Sequence, residues 1–362
     1  MHARSLSRLA AVSFAPPEYL SLPTAGIDLS ASGIKLALLN EHTHGIELAV
    51  SAEERLPAGA FTSADITDVR AVVKGLTNIA QKHRISRANI ALPESRTYLF
   101  EADVPGGGPQ EWATALEQRI DEFVPLPPSE VAFDLVPAGE KGGKTRVVAV
   151  GYARRVIAQS LQVFDEAAIK VRSIESELFS IPRALLRPGD PSTVLIIDVG
   201  KTTTKLIVVA GRLPRYATTL DIGGHALTLA VQKHFGVTEE EAKRVKADRG
   251  LIASDGNQEY LSAMLSTVSV IREEIVRRLE YWQTRAVAAG SHEPVSRVIL
   301  VGGNATVKGF PEYLSAGLKL PVELGDVFTN LASRDEWLPS IDYMESLAYA
   351  TSIGLALREY VS

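Results

Sequence analysis

Residues 193–209 read TVLIIDVGKTTTKLIVV, and residues 24–39 read TAGIDLSASGIKLALL. Ile27, Asp28, Lys35 and Leu36 of the earlier stretch recur in order as Ile197, Asp198, Lys205 and Leu206 of the later one. Each copy is an apolar strand ending in aspartate, a short turn of small and hydroxyl residues, and a second apolar strand, which is the pattern of a β-hairpin. Such a turn suits phosphate. Small residues admit close approach of the backbone, serine and threonine hydroxyls donate to phosphate oxygens, and an aspartate at the strand end can hold magnesium through the ion's water shell. One copy alone is an ordinary turn; two copies in equivalent halves point to a duplicated nucleotide device.

A third loop follows downstream. Val298-Ile299-Leu300-Val301 is a buried-strand run, succeeded by Gly302-Gly303-Asn304-Ala305 and a helical stretch around Phe310 to Leu318. Glycines between a strand and a helix let a planar ring or a phosphate lie against the main chain. Between the hairpins, residues 69–84 carry Val69, Val72, Val73, Leu76 and Ile79 at helical spacing ahead of the strand ANIALP. Residues 97–105, 130–137 and 145–153 read as strands, and 109–123 and 154–168 as helices, an alternation around a compact inserted sheet. The segment 259–286 reads as a long helix with Ile271, Ile275, Leu279 and Trp282 on its core-facing side.

Composition narrows the function classes. The 362 residues suffice for two or three domains, and 38 Lys+Arg against 43 Asp+Glu give a net charge of −5. That balance argues against nucleic acid as a partner, because affinity for a phosphate backbone needs a basic surface. The absence of cysteine excludes disulfides, thiolate catalysis and Cys-based zinc sites. No stretch reaches the roughly 18 apolar residues of a membrane span. The opening MHARSLSRLAAVSFAPPEYL has too short an apolar run for a leader, and residues 1–21 read as a flexible extension.

The segments IDLSASGIK, IDVGKTTTK and VILVGGNATVKGF, in that order, resemble the actin, Hsp70 and sugar-kinase superfamily. Within it the chain is similar to the PilM family of type IV pilus assembly proteins, relatives of the cell-division protein FtsA. The narrower likeness is carried by QEWATALEQRIDEFVPLPPSEVAFDLV, RSIESELFSIPRAL and YATSIGLALREY, and spans residues 22–360. It implies an α/β, actin-like (RNase H-like) two-lobed fold with duplicated domains and a small inserted SHS2-type α+β domain. Residues 22–94 and 174–190, with a C-terminal helix at 340–360, would form the first lobe, 95–173 the partner-binding insert, and 191–339 the second lobe.

The same resemblance implies ATP and Mg2+ as ligands, with no more than slow hydrolysis. Matched position by position, Asp28 and Asp198 would place the metal and the attacking water. Ser30, Ser32 and Lys35 fall in the first phosphate loop, and Gly200, Thr202, Thr203 and Thr204 in the second. Gly302, Gly303 and Asn304 match the loop under the adenine, Gly223 and Gly224 the turn entering the next helix, and Asp221 a position that orients water. Lys246 in EEEAKRVKADRG matches the lysine that meets ribose and adenine. Two positions depart from the family pattern: Ser30 stands where glycine is usual, and Lys243 where an acid is usual, with Glu240 or Glu241 as substitutes.

The implied partner is the N-terminal cytoplasmic peptide of a PilN-like inner-membrane protein, lying in a groove walled by Tyr98 to Val104 and Trp112 to Phe123. Other pilus platform proteins and copies of the chain itself are further implied partners. The implied place is the cytoplasm, peripheral at the inner membrane through that partner. An FtsA-like cell-division filament protein is the alternative reading, against which the chain's end directly after YATSIGLALREYVS weighs. A small-molecule kinase ranks third, because no segment supplies its carboxylate base and sugar pocket.

Overall fold

The structure is a computed structural model that describes residues 24–62, 65–254, 256–287 and 293–361. The expectation for residues 1–21 lies outside the described residues.

The described residues open with strands β1 (Ala25–Ser30), β2 (Gly33–His42) and β3 (Gly45–Glu54), and helix α1 (Val69–His83) and strand β4 (Arg87–Leu92) come later. Asp68 caps α1 by accepting from the Ala71 N–H at 3.0 Å, and Arg84 closes it in the left-handed conformation. The insert follows as β5 (Tyr98–Pro105), α2 (Pro109–Glu117), β6 (Val131–Lys141), β7 (Lys144–Ala153) and α3 (Arg154–Glu166). Strand β8 (Lys170–Ser176) and helix α4 (Glu177–Leu185) return from it.

The second half repeats the scheme with β9 (Thr193–Val199), β10 (Thr204–Ala210) and β11 (Leu213–Leu220). Helices α5 (Gly224–Phe235), α6 (Glu239–Arg249) and α7 (Gln258–Trp282) come next, then β12 (Arg297–Val301), α8 (Phe310–Leu318), β13 (Val322–Leu324) and, near the end, α9 (Ala350–Ala356). The expected helix over 259–286 is thus α7, continued by a wider turn at Gln283–Val287, and its Ile271, Ile275, Leu279 and Trp282 are buried as the spacing predicts.

Two five-stranded sheets share one topology, β8-β4-β1-β2-β3 and β13-β12-β9-β10-β11. In each, the hairpin strands pair antiparallel and the next strand joins parallel to the first. The registers match too: Asp28 pairs with Lys35 across β1–β2, and Asp198 with Lys205 across β9–β10. The duplication legible in the sequence is therefore a duplication of sheet and register. The insert has its own three-stranded sheet, β5-β7-β6.

Strand β9 is apolar from Val194 to Ile197 because both its faces are covered. Leu195, Ile197 and Val199 pack under α7 and α8, while Val194 and Ile196 pack against α4 and α9. Those two helices lie between the sheets, since their Leu178, Ile181, Ile353 and Ala356 share one cluster with Ala37 and Leu39 of β2 and with β9 and β10. Helix α3 buries Val163 and Phe164 against α1 and β1 in the core of the first half, while its Val156 packs with Val150 and Tyr152 of the insert's β7. The insert also touches the second half directly, where Arg215 of β11 reaches Glu101 of β5 at 3.0 Å.

The approach of α9 to its neighbours depends on two glycines. A Cβ on Gly26 of β1 would lie 1.9 Å from the Ser352 carbonyl oxygen, and one on Gly354 of α9 would lie 1.8 Å from the Ser180 carbonyl oxygen of α4. Asn89 of β4, fully buried, ties the helix further by donating to the Leu355 carbonyl at 3.1 Å. On the opposite side, the carboxylate of Glu175 receives a two-pronged donation from Arg183 at 2.5 and 2.9 Å and a further contact from Arg358.

Candidate functional site

The turns of the two hairpins meet at a cavity of about 240 Å³ between the halves. Asp28, Ser30, Ser32 and Lys35 line it from the first half, and Asp198, Gly200, Thr202 and Thr203 from the second. Gly302, Gly303 and Asn304 complete the wall after β12, and Asp221 and Ala348 border it as well. The first turn is internally wired: the Ser30 and Ser32 hydroxyls lie 2.7 Å apart, and the Lys35 ammonium donates to Ser32 Oγ at 2.7 Å. Lys35 is 7% exposed and sits in the cleft, not on the surface. Ser30, where glycine is usual, lines the cavity with its hydroxyl directed to this chain of donors.

Gly302 is required where it stands. Its φ is +93°, and a Cβ would come 2.4 Å from Asp198 Oδ1 and 2.6 Å from the Val199 carbonyl oxygen. The glycine lets the loop after β12 lie directly on the end of β9.

Four expected residues do not reach the cavity wall. Thr204, fully buried, donates instead to the Ile222 carbonyl at 2.7 Å, because alternation along β10 turns it away from the face that Lys205 presents. Gly223 packs against the backbone of Gly200, Lys201 and Thr203, and Gly224 lies under the Asn304 side chain. Lys246 donates to the Gly224 carbonyl at 3.1 Å and to Asn304 Oδ1 at 2.9 Å, while Asn304 Nδ2 donates to the Gly200 carbonyl at 3.0 Å. These residues brace the second turn from behind. Lys243 is exposed and pairs with Glu239 at 2.7 Å, and Glu241 is engaged in the capping box with Thr238. Neither of them lines the cavity, nor does Glu240.

Burial and the nearby Lys243 charge push the Lys246 ammonium down to about 8. Between about 8 and the ordinary lysine value near 10.4, the unfolded chain binds a proton that the folded chain has given up, so stability rises with pH across that window. We expect the full chain to gain roughly 2–3 kcal/mol over Lys246→Met between pH 8 and 10.5 in urea titrations. A constant difference between the two proteins would refute the assignment.

Sequence reasoning missed the floor of the cavity. Glu177, the first residue of α4, is 4% exposed at its side chain, and Lys205 donates to its Oε2 at 2.6 Å and to Asp198 Oδ2 at 3.3 Å. The other oxygen, Oε1, accepts from the Glu94 N–H at 2.5 Å, and the Glu94 carboxylate in turn accepts from the Thr219 hydroxyl of β11. Burial alone would lower the Lys205 ammonium, but Glu177, Asp198 and Asp28 overturn it and hold Lys205 above the ordinary lysine range. Burial lifts the carboxyls of Asp28, Glu177 and Glu94 above their usual values, against the pull of the lysines. The signal for Lys205 was present in the repeat itself, which aligns it with Lys35.

Among the described residues no group of three or more acidic or histidine side chains could hold a metal ion directly. Magnesium keeps several waters and takes one or two carboxylates plus phosphate oxygens, so Asp28 and Asp198 fit an ion held through water and a bound phosphate.

A second cavity, of about 250 Å³, lies between the insert and the first half. Phe133 and Leu135 of β6, Tyr152 of β7, Ile157 of α3, Ile174 of β8 and Phe179 of α4 line it. The segments expected to wall the groove do not line this cavity: β5 reaches the second half through Glu101, and Trp112 and Phe123 pack into the insert's own core. Strand β6 is the edge of its sheet and keeps one side unpaired beside this cavity.

The family model described as type IV pilus assembly protein PilM matches residues 26–360. Among solved structures, a chain of a PilM-PilN type IV pilus biogenesis complex is similar with a TM-score of 0.76 at 20% identity, covering 93% of this chain and 98% of that one. MreB5 of Spiroplasma citri bound to ADP has a TM-score of 0.56 at 13% identity, with 91% and 95% covered. The ethanolamine utilization protein EutJ from Carboxydothermus hydrogenoformans has 0.54 at 16%, with 94% and 90% covered. The fold is actin-like. No helix among the described residues is long and apolar enough to cross a membrane.

Proposed function

We propose, from the premise that this chain belongs to the PilM family of type IV pilus assembly proteins, that it is a nucleotide-binding scaffold of the pilus platform at the inner membrane. The single observation that carries the nucleotide half is the convergence of both hairpin turns, Asp28 with its Ser30, Ser32 and Lys35 and Asp198 with its Gly200 to Thr203, on one cavity. ATP is the ligand read from that arrangement. The hydroxyls and backbone N–H groups of the turns bind phosphate, Gly302 and Gly303 accommodate the nucleoside side, and Asp28 and Asp198 hold Mg2+ through water. When bound, the ion neutralises phosphate charge.

The protein acts by recruiting a PilN-like inner-membrane protein through its N-terminal cytoplasmic peptide, which places the scaffold at the membrane. The apolar cavity between the insert and the first half supports this, because an extended peptide can add to the free edge of β6 while its side chains enter the pocket of Phe133, Ile174 and Phe179. The family match does not favour the cell-division alternative.

Asp198→Ala is expected to weaken ATP binding tenfold or more, about 1.4 kcal/mol, in calorimetric titration with Mg2+. Unchanged affinity in a folded variant would sink the nucleotide reading. A labelled peptide copied from the N-terminal tail of the neighbouring PilN-like protein is expected to bind saturably near micromolar affinity, about −8 kcal/mol, by fluorescence anisotropy. Phe133→Glu should abolish that binding; a peptide that binds the variant equally well would place the groove elsewhere.

A further inference from the structure

The floor of the nucleotide cavity is closed by an ion pair between the halves. Lys205 of β10 reaches Glu177 of α4 at 2.6 Å and Asp198 of β9 at 3.3 Å, and all three side chains line the cavity. The turn residues Lys201 and Thr202 are exposed at its mouth, whereas the Glu177 side chain is 4% exposed at its base. A phosphate chain held by the two turns meets Lys205 only with the phosphate that extends deepest. That phosphate competes with Glu177 for the ammonium, because its negative charge would lie beside a cation that Glu177 already engages.

We propose that the Lys205–Glu177 pair is a latch that reads the terminal phosphate of a nucleoside triphosphate: the triphosphate draws Lys205 from Glu177, and the diphosphate leaves the pair closed. This rests on the nucleotide reading above. Glu177 is a positioning residue here, acting through Lys205. Its release has a mechanical path, because its second oxygen holds the Glu94 N–H at the point where the chain leaves the first half for the insert, and Glu94 is bonded to Thr219 of the second half. The latch therefore joins nucleotide state to the root of the insert.

The test uses the full chain with ATP or ADP and Mg2+ in titration calorimetry. Glutamine at 177 keeps a carbonyl acceptor for the Glu94 N–H but gives up the ion pair, so Glu177→Gln is expected to raise the ratio of ATP to ADP affinity at least tenfold over the unaltered chain. Lys205→Met is expected to bring the ratio close to one, and Glu177→Gln added to Lys205→Met should change it less than threefold. That last comparison separates the latch from a general loss of negative charge, which would favour both nucleotides through either background. A ratio that stays constant in Glu177→Gln, or rises equally in the Lys205→Met background, overturns the latch alone. Absence of binding of either nucleotide to the unaltered chain overturns the nucleotide reading and the latch together. Should Glu177→Gln fail to give a cooperative melt, the ratio for Lys205→Met decides: one that stays at the unaltered value refutes the proposal.

Discussion

Lys205→Met should destabilise the protein by about 3–5 kcal/mol in urea denaturation, the range for removing one partner of a buried ion pair. The variant leaves Glu177, at 4% exposure, and Asp198 without the cation that contacts both. Repulsion from Asp28 adds to the desolvation of Glu177. Glu177→Gln combined with Lys205→Met should recover a large part of the loss, since the double variant buries a neutral amide in place of an orphaned charge. A single variant within 1 kcal/mol of the unaltered chain would mean that water already reaches the pair and that the cavity floor is open.

Gly354→Ala is expected to cost about 3 kcal/mol or more. The added methyl would stand 1.8 Å from the Ser180 carbonyl oxygen and 2.5 Å from its carbon, both main-chain atoms of α4 that no rotamer change can move. Relief requires α9 to lift from α4, which uncovers Ile353 and Ala356 together with the Leu178 and Ile181 they share. Gly303→Ala provides the comparison: its nearest neighbour would be the Ala348 methyl at 3.7 Å, an ordinary contact, and its stability should stay within about 1 kcal/mol. Equal effects in thermal and urea melts would show that α9 is loosely seated.

The duplicated hairpins and the long helix α7 were legible because each rests on a local period. Strand alternation, turn residues and a 3.6-residue stripe survive in a single stretch of sequence. The residues that were misplaced or missed are those whose role depends on a distant element. Thr204 looks like its neighbours Thr202 and Thr203, and only the pleat of β10 against β11 turns its hydroxyl to Ile222. Glu177 begins a helix whose sequence reads as apolar, and nothing near it announces that the second half will deliver an ammonium to its carboxylate. Gly224 and Lys246 lie in a recognisable loop and helix, yet the Asn304 side chain from a third segment fills the space between them.

The seating of α9 has a consequence for synthesis. Strand β1 leaves the ribosome well before the helix that covers it through the close contact of Gly26 with Ser352, which is translated near the end of the described residues. The second half carries the larger part of its core, under α5, α7 and α8, in contiguous sequence. The first half can close its own core of β1, β2, α1 and α3 early, but the sheet face that α4 and α9 cover must wait while the second half condenses, and it is this face that needs sheltering from aggregation until translation has passed residue 356.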